Sequence, residues 1–132
     1  MGGEPKVGAY APHVSARRPG GSPRGAPKYR VLVHRKMLDR WNELVDRVGL
    51  ESAEQFWDHV ANDPGHKAPI NGTTVLKGSA GNPKAPGFSR TVHYEVSGAA
   101  RINFQYHDQF RTRPDGDPHK IVVILTIDYS SH

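Results

Sequence analysis

A histidine, a glutamate and an arginine stand close together in residues 89–107: His93, Glu95 and Arg101, followed by Asn103 and Gln105. An imidazole titrates near neutrality, so His93 can take or give a proton at physiological pH. Glu95 can orient that ring or act as the base itself. Arg101 brings a permanent cation with a planar fork of donors suited to an oxyanion. Proton transfer beside a stabilised negative charge is the chemistry such a set can do. It requires all three side chains on one surface.

Two strands around a short turn would provide that surface. Val92, Tyr94 and Val96 alternate with Thr91, His93 and Glu95, and Ile102, Phe104 and Tyr106 alternate with Arg101, Asn103 and Gln105. Side chains point to opposite faces of a strand with period two, so each strand has one apolar and one polar face. Gly98, in the Ser97–Ala100 connection, can take the positive φ of a tight hairpin turn. The chain before it is expected to form the layer that covers the apolar face.

Residues 29–34 (YRVLVH) read as a short strand, followed by a helix over about 35–48. Met37, Leu38, Trp41, Leu44, Val45 and Val48 make one apolar stripe of helical period, and Gly49 can end it in a left-handed conformation. Ser52 with Gln55 resembles a capping box opening a second helix, whose stripe is Ala53, Phe56, Trp57 and Val60 and whose end is Asp63-Pro64-Gly65. The short connection predicts an antiparallel helical hairpin, with both tryptophans in the core rather than free to stack on bases. Residues 64–88 hold turn signals around a brief extended piece at 73–77, residues 108–120 form a polar loop, and the apolar run from Ile121 suits a strand at the centre of a sheet. The fold expected is thus α+β: an N-terminal strand, the helical hairpin, then a three-stranded antiparallel sheet.

Of the 132 residues, 18 are Lys or Arg and 13 are Asp or Glu, a net charge of +5. Most of that excess falls in residues 1–28, where Lys6, Arg17, Arg18, Arg24 and Lys28 face Glu4 alone. This segment is rich in Gly, Pro and Ser and poor in large apolar residues, so it is expected to be a disordered basic tail, with 29–132 as the domain. Such a tail can serve as an electrostatic arm on nucleic acid. The absence of cysteine excludes disulfides and thiolate metal sites. The eight histidines show no helical i, i+4 pair and no close zinc-type spacing, so no metal is expected. No apolar run is long enough for a membrane helix and no secretory leader is evident, which points to the cytoplasm with no membrane partner.

The order of these elements, with Leu76-Lys77-Gly78, Gly87-Phe88-Ser89-Arg90, Arg101-Ile102-Asn103-Phe104 and the final Asp128-Tyr129-Ser130-Ser131-His132, resembles the RelE/ParE superfamily of type II toxin–antitoxin toxins. The closest likeness is to the RelE/YoeB-like mRNA interferases. It implies a ribosome-dependent endoribonuclease that inhibits translation, with a cognate antitoxin, the ribosome and mRNA as partners. Cleavage by the ribose 2′-hydroxyl needs a base, a cation for the phosphorane and an acid for the leaving oxygen, and no cofactor. The resemblance implies catalytic roles for Arg101, Arg90, His93, Glu95, His132 and Tyr129. It implies RNA-backbone contacts for Lys77, Lys84, Arg90 and Arg101.

The chain departs from the family pattern in four places: it lacks the paired lysines after the LKG turn, its 108–120 loop is longer, its C-terminal residues differ, and its basic N-terminal tail is extra. Two other classes therefore stand beside the nuclease: a ParE-like inhibitor of DNA gyrase without RNA chemistry, and an inactive RNA- or protein-binding module.

Overall fold

The computed structural model describes residues 10–23, 25–66 and 73–129. Its frame is one six-stranded mixed sheet made of β1 (His13–Ser15), β2 (Arg30–His34), β3 (Thr73–Val75), β4 (Val92–Val96), β5 (Ala100–Phe110) and β6 (His119–Asp128). The spatial order is β1-β2-β6-β5-β4-β3. This corrects the expected fold class, in which a separate N-terminal strand and helical hairpin preceded a three-stranded antiparallel sheet. Strand β2 joins the sheet by pairing parallel to β6, while the other pairs are antiparallel. Parallel neighbours need a long crossover, and here everything from residue 35 to residue 118 supplies it. Such a partnership leaves no local mark on the sequence.

The second addition to the sheet is β1, which lies within the segment expected to be a tail. His13, Val14 and Ser15 pair with His34, Val33 and Leu32. After β1 the chain crosses onto the helical layer. Ala16 is buried, and its carbonyl accepts a hydrogen bond from Trp57 Nε1 at 2.8 Å. Arg18 then grips Asp58 with Nε and Nη2 (2.8 and 2.9 Å) and reaches Glu54 at 3.2 Å. One of the tail's cations is thus spent on α3, and the ordered domain starts well before residue 29. Residues 1–9 lie outside the described part.

The helical layer also differs in detail. The single helix expected over 35–48 is a 3₁₀ turn (Arg35–Met37), α1 (Leu38–Asn42) and α2 (Leu44–Val48), followed by α3 (Leu50–Asn62). The His34 imidazole accepts the Lys36 N–H and so caps the first turn. At Glu43 the N–H divides between the carbonyls of Asp39 and Arg40, both at 3.2 Å, and the helix steps at that residue. Gly49, at φ +90°, separates α2 from α3 and stands in the N-cap position where Ser52 was expected.

These helices cover one face of the sheet. Phe56 of α3, fully buried, meets the rings of Tyr94 (4.9 Å), Trp41 (6.1 Å) and Phe104 (6.2 Å). Val92, Tyr94, Val96, Ile102 and Phe104, the predicted apolar face, all join this core, as do Val31, Val33, Val122 and Ile124. Strand β6, paired on both sides, carries the unbroken buried run Ile121–Ile124 that a central strand requires.

Candidate functional site on the open sheet face

The hairpin register places the chemical residues. Glu95 pairs with Arg101 and His93 with Asn103 across β4 and β5. Ser97 and Gly98 turn the chain with φ of 51° and 74°, the two successive positive values of a type I′ turn. Their right-handed twist fits the flanking strands and holds the register. With the helices on the other side, His93, Glu95, Arg101 and Asn103 lie together on the face the helices leave open.

Strand β6 completes the arrangement by an irregularity. Phe104 pairs with Ile124 and Asn103 with Thr126, so Leu125 is an extra residue, and the alternation of β6 reverses beyond it. Thr126 and Asp128 are thereby exposed on the open face beside Asn103 and Arg101, while Ile127 turns into the core. Two rows result: Glu95–Arg101–Asp128, and His93–Asn103–Thr126. Neither Thr126 nor Asp128 was placed on this face from the sequence, because a bulge within an apolar run has no clear local signal.

His93 is held by a neighbour on the adjacent strand. Its Nδ1 lies 2.8 Å from the Asn103 side-chain oxygen. An amide oxygen can only accept, so the neutral ring carries its proton on Nδ1 and leaves Nε2 with a free lone pair. Arg101 is exposed, and no salt bridge among the described residues includes it. It stands between two carboxylates on adjacent strands, which lowers the net positive charge it presents.

The remaining expected site residues are dispersed. Arg90 donates to the carbonyls of Leu76 (3.0 Å) and Gly78 (2.6 Å), so its guanidinium shapes the LKG turn. Tyr129 donates to the Arg40 carbonyl, lies under the Arg47 guanidinium at 4.8 Å, and packs on the helical side of the sheet. Burial pushes its hydroxyl up to about 12, a poor match for acid catalysis near neutrality. Lys77 is exposed beside the same turn as Arg90. Lys84 is exposed farther along the open face, where its Nζ lies 4.9 Å from the Phe88 ring centre. His132 lies outside the described residues.

Gln105 was expected on the chemical face, and it is on that face but only 1% exposed. It accepts from the Lys84 N–H (3.0 Å) and donates to Asn82 O and Thr91 Oγ1 (both 2.9 Å). The loop it anchors covers that part of the face. Gln105 is therefore a clamp, and the exposed polar surface around His93 ends near Asn103.

Beyond the clamp lies His13, buried against His34 with ring centres 5.3 Å apart. Burial, then the nearby Lys84 and His34 charges, push its imidazole down to about 4. Burial also lowers His59 on α3. The unfolded chain takes up both protons near pH 6.5, but folded His13 does so only near 4. Stability is therefore full above about pH 6.5 and is lost as the pH falls toward 4, by up to about 1.4 kcal/mol per pH unit from His13. Urea midpoints at pH 7, 6, 5 and 4.5 should decline with that slope and decline less in His13→Asn. Equal slopes for the two proteins would remove His13 from the account.

Among the described residues no group of three His, Cys, Asp or Glu is placed to hold a metal, and no helix is long and apolar enough to cross a membrane. A groove of about 290 Å³ lies between the N-terminal segment (Ser15, Arg17, Pro19) and α1–α2 (Leu38, Trp41, Asn42, Val45), apart from the His93 cluster. No protein-family model, curated protein or solved structure matches this chain.

Proposed function

We propose that this chain is a ribosome-dependent mRNA endoribonuclease, the toxin of a toxin–antitoxin module, with its site on the open sheet face. The observation that carries the reading is the His93–Asn103 pair beside Arg101 and Glu95. Nε2 of His93 takes the proton of the ribose 2′-hydroxyl, and Asn103 keeps the ring in the tautomer that can do so. Arg101 stabilises the charge that develops on the phosphate. Glu95 is the acid that gives a proton to the leaving 5′-oxygen; in the reverse assignment Glu95 takes the 2′-hydroxyl proton and the imidazolium of His93 gives one to the leaving oxygen. Arg90 and Tyr129 have structural work in this scheme, and the ribosome supplies part of the RNA positioning. A cognate antitoxin is the expected partner, covering this face; co-expression with the adjacent gene should yield a complex, and recovery of free monomer would count against it.

The deciding assay adds the folded protein to an in vitro translation reaction and maps mRNA ends by primer extension. Ribosome-dependent cuts are expected within coding sequence. Intact mRNA with translation unaffected would sink the nuclease reading. The two carboxylates flanking Arg101 favour one other reading, a binding module without RNA chemistry, which that outcome would leave standing.

A further inference from the structure

The nuclease reading, on which this inference rests, leaves a physical gap: Arg101 between Glu95 and Asp128 is a weak hold for a polyanion. The other end of the open face has what is missing. There Tyr10, Phe110 and His119 form a ring cluster, with centres 6.0 Å apart for Tyr10–Phe110 and 5.9 Å for Phe110–His119. The Tyr10 hydroxyl and His119 Nε2 are 2.7 Å apart, which fixes two of the rings against each other. Phe88 extends the cluster at 6.0 Å from Phe110. Two exposed cations overlie it, Arg30 at 5.5 Å from the Tyr10 centre and Lys84 at 4.9 Å from that of Phe88. Tyr10, Phe110 and His119 are partly exposed, whereas Phe88 is buried beneath Lys84.

We infer that this aromatic–cationic patch is a binding subsite for single-stranded RNA, separate from the His93 cluster and holding the same strand. Aromatic side chains on a sheet accept unstacked bases, and interleaved cations take the phosphates. Charge complementarity selects the occupant: Arg30 and Lys84 overlie the rings, and no described salt bridge neutralises either one. Along β5 the patch begins near His107, about 20 Å from Arg101 at roughly 3.3 Å per residue, so a strand spanning both sites covers several nucleotides. The segment leading into β1 and the 82–88 loop bring Tyr10 and Lys84 to the open face, which gives the N-terminal segment a place in the site.

The test is fluorescence anisotropy with a fully 2′-O-methylated RNA, which cannot be cut by its own 2′-oxygen, as a 12-mer and as a 3-mer. Arg30→Ala/Lys84→Ala should weaken 12-mer binding about tenfold or more at low salt. It should also flatten the log–log salt slope by roughly 1.4, at about 0.7 per lost phosphate contact. Phe110→Ala should weaken it about fivefold or more through lost stacking, and circular dichroism of each variant guards against unfolding. The 3-mer should bind far more weakly than the 12-mer. Wild-type binding that both variants reproduce, with equal salt slopes, would overturn the subsite, as would a wild type that does not bind the 12-mer. Binding that depends on the patch, in a protein that never cuts mRNA, would instead refute the nuclease and leave the subsite intact.

Discussion

His93→Ala should lower the rate of mRNA cleavage about a hundredfold or more while leaving the fold in place. A positioned general base contributes roughly 10²–10⁴ to rate, and on this surface His93 is the residue whose free nitrogen is set by a partner, at 2.8 Å from Asn103. The side chain is only half-buried, so losing it forfeits about one hydrogen bond, roughly 1 kcal/mol of stability. The assay is single-turnover cleavage in translating extract, with the urea midpoint measured on the same preparation. Asn103→Ala should fall between wild type and His93→Ala, because the ring then loses its tautomer control but keeps its base. Cleavage at the wild-type rate by folded His93→Ala would remove His93 from the mechanism and pass the base role to Glu95.

The largest effect on stability is expected from Phe56→Ala, at about 3–5 kcal/mol. Phe56 is fully buried and joins the two layers, with Tyr94 and Phe104 of the sheet on one side and Trp41 of α1 on the other. Truncation leaves a cavity at the junction of three elements, where neither layer can move in without disturbing the other. A domain of this size has about 5–15 kcal/mol in total, so the variant should sit near the edge of folding. Denaturant unfolding followed by tryptophan fluorescence reads this directly, since Trp41 and Trp57 are both in the core. A loss under 1 kcal/mol would mean the helical layer is not packed as described.

The residues that could be read correctly were those whose environment is set by near neighbours. The alternation in 92–96 and 102–106 marked both faces of the β4–β5 hairpin, and Gly98 marked its turn. Trp41, Phe56, Trp57 and Val60 were recognisable as core from their helical spacing. His93, Glu95 and Arg101 share a face because a tight turn fixes register between strands adjacent in the chain. The places of Arg90 and Tyr129 were not legible, because their partners, the Leu76 and Arg40 carbonyls, are backbone atoms whose positions no residue type announces.

Local pattern was thus enough for the hairpin, the helical stripes and the placement of His93, Glu95 and Arg101 on one face, since each depends on contacts a few residues apart. Long-range pairing settled the rest. The parallel β2–β6 ladder, the capture of β1 by β2, and the bulge that turns Thr126 and Asp128 outward join residues that are far apart in sequence or depart from simple alternation. A three-residue strand such as His13–Ser15 has too little propensity to show itself. It exists because the edge of β2 offers unpaired backbone groups and α3 offers Trp57 and Asp58 to hold the chain that follows.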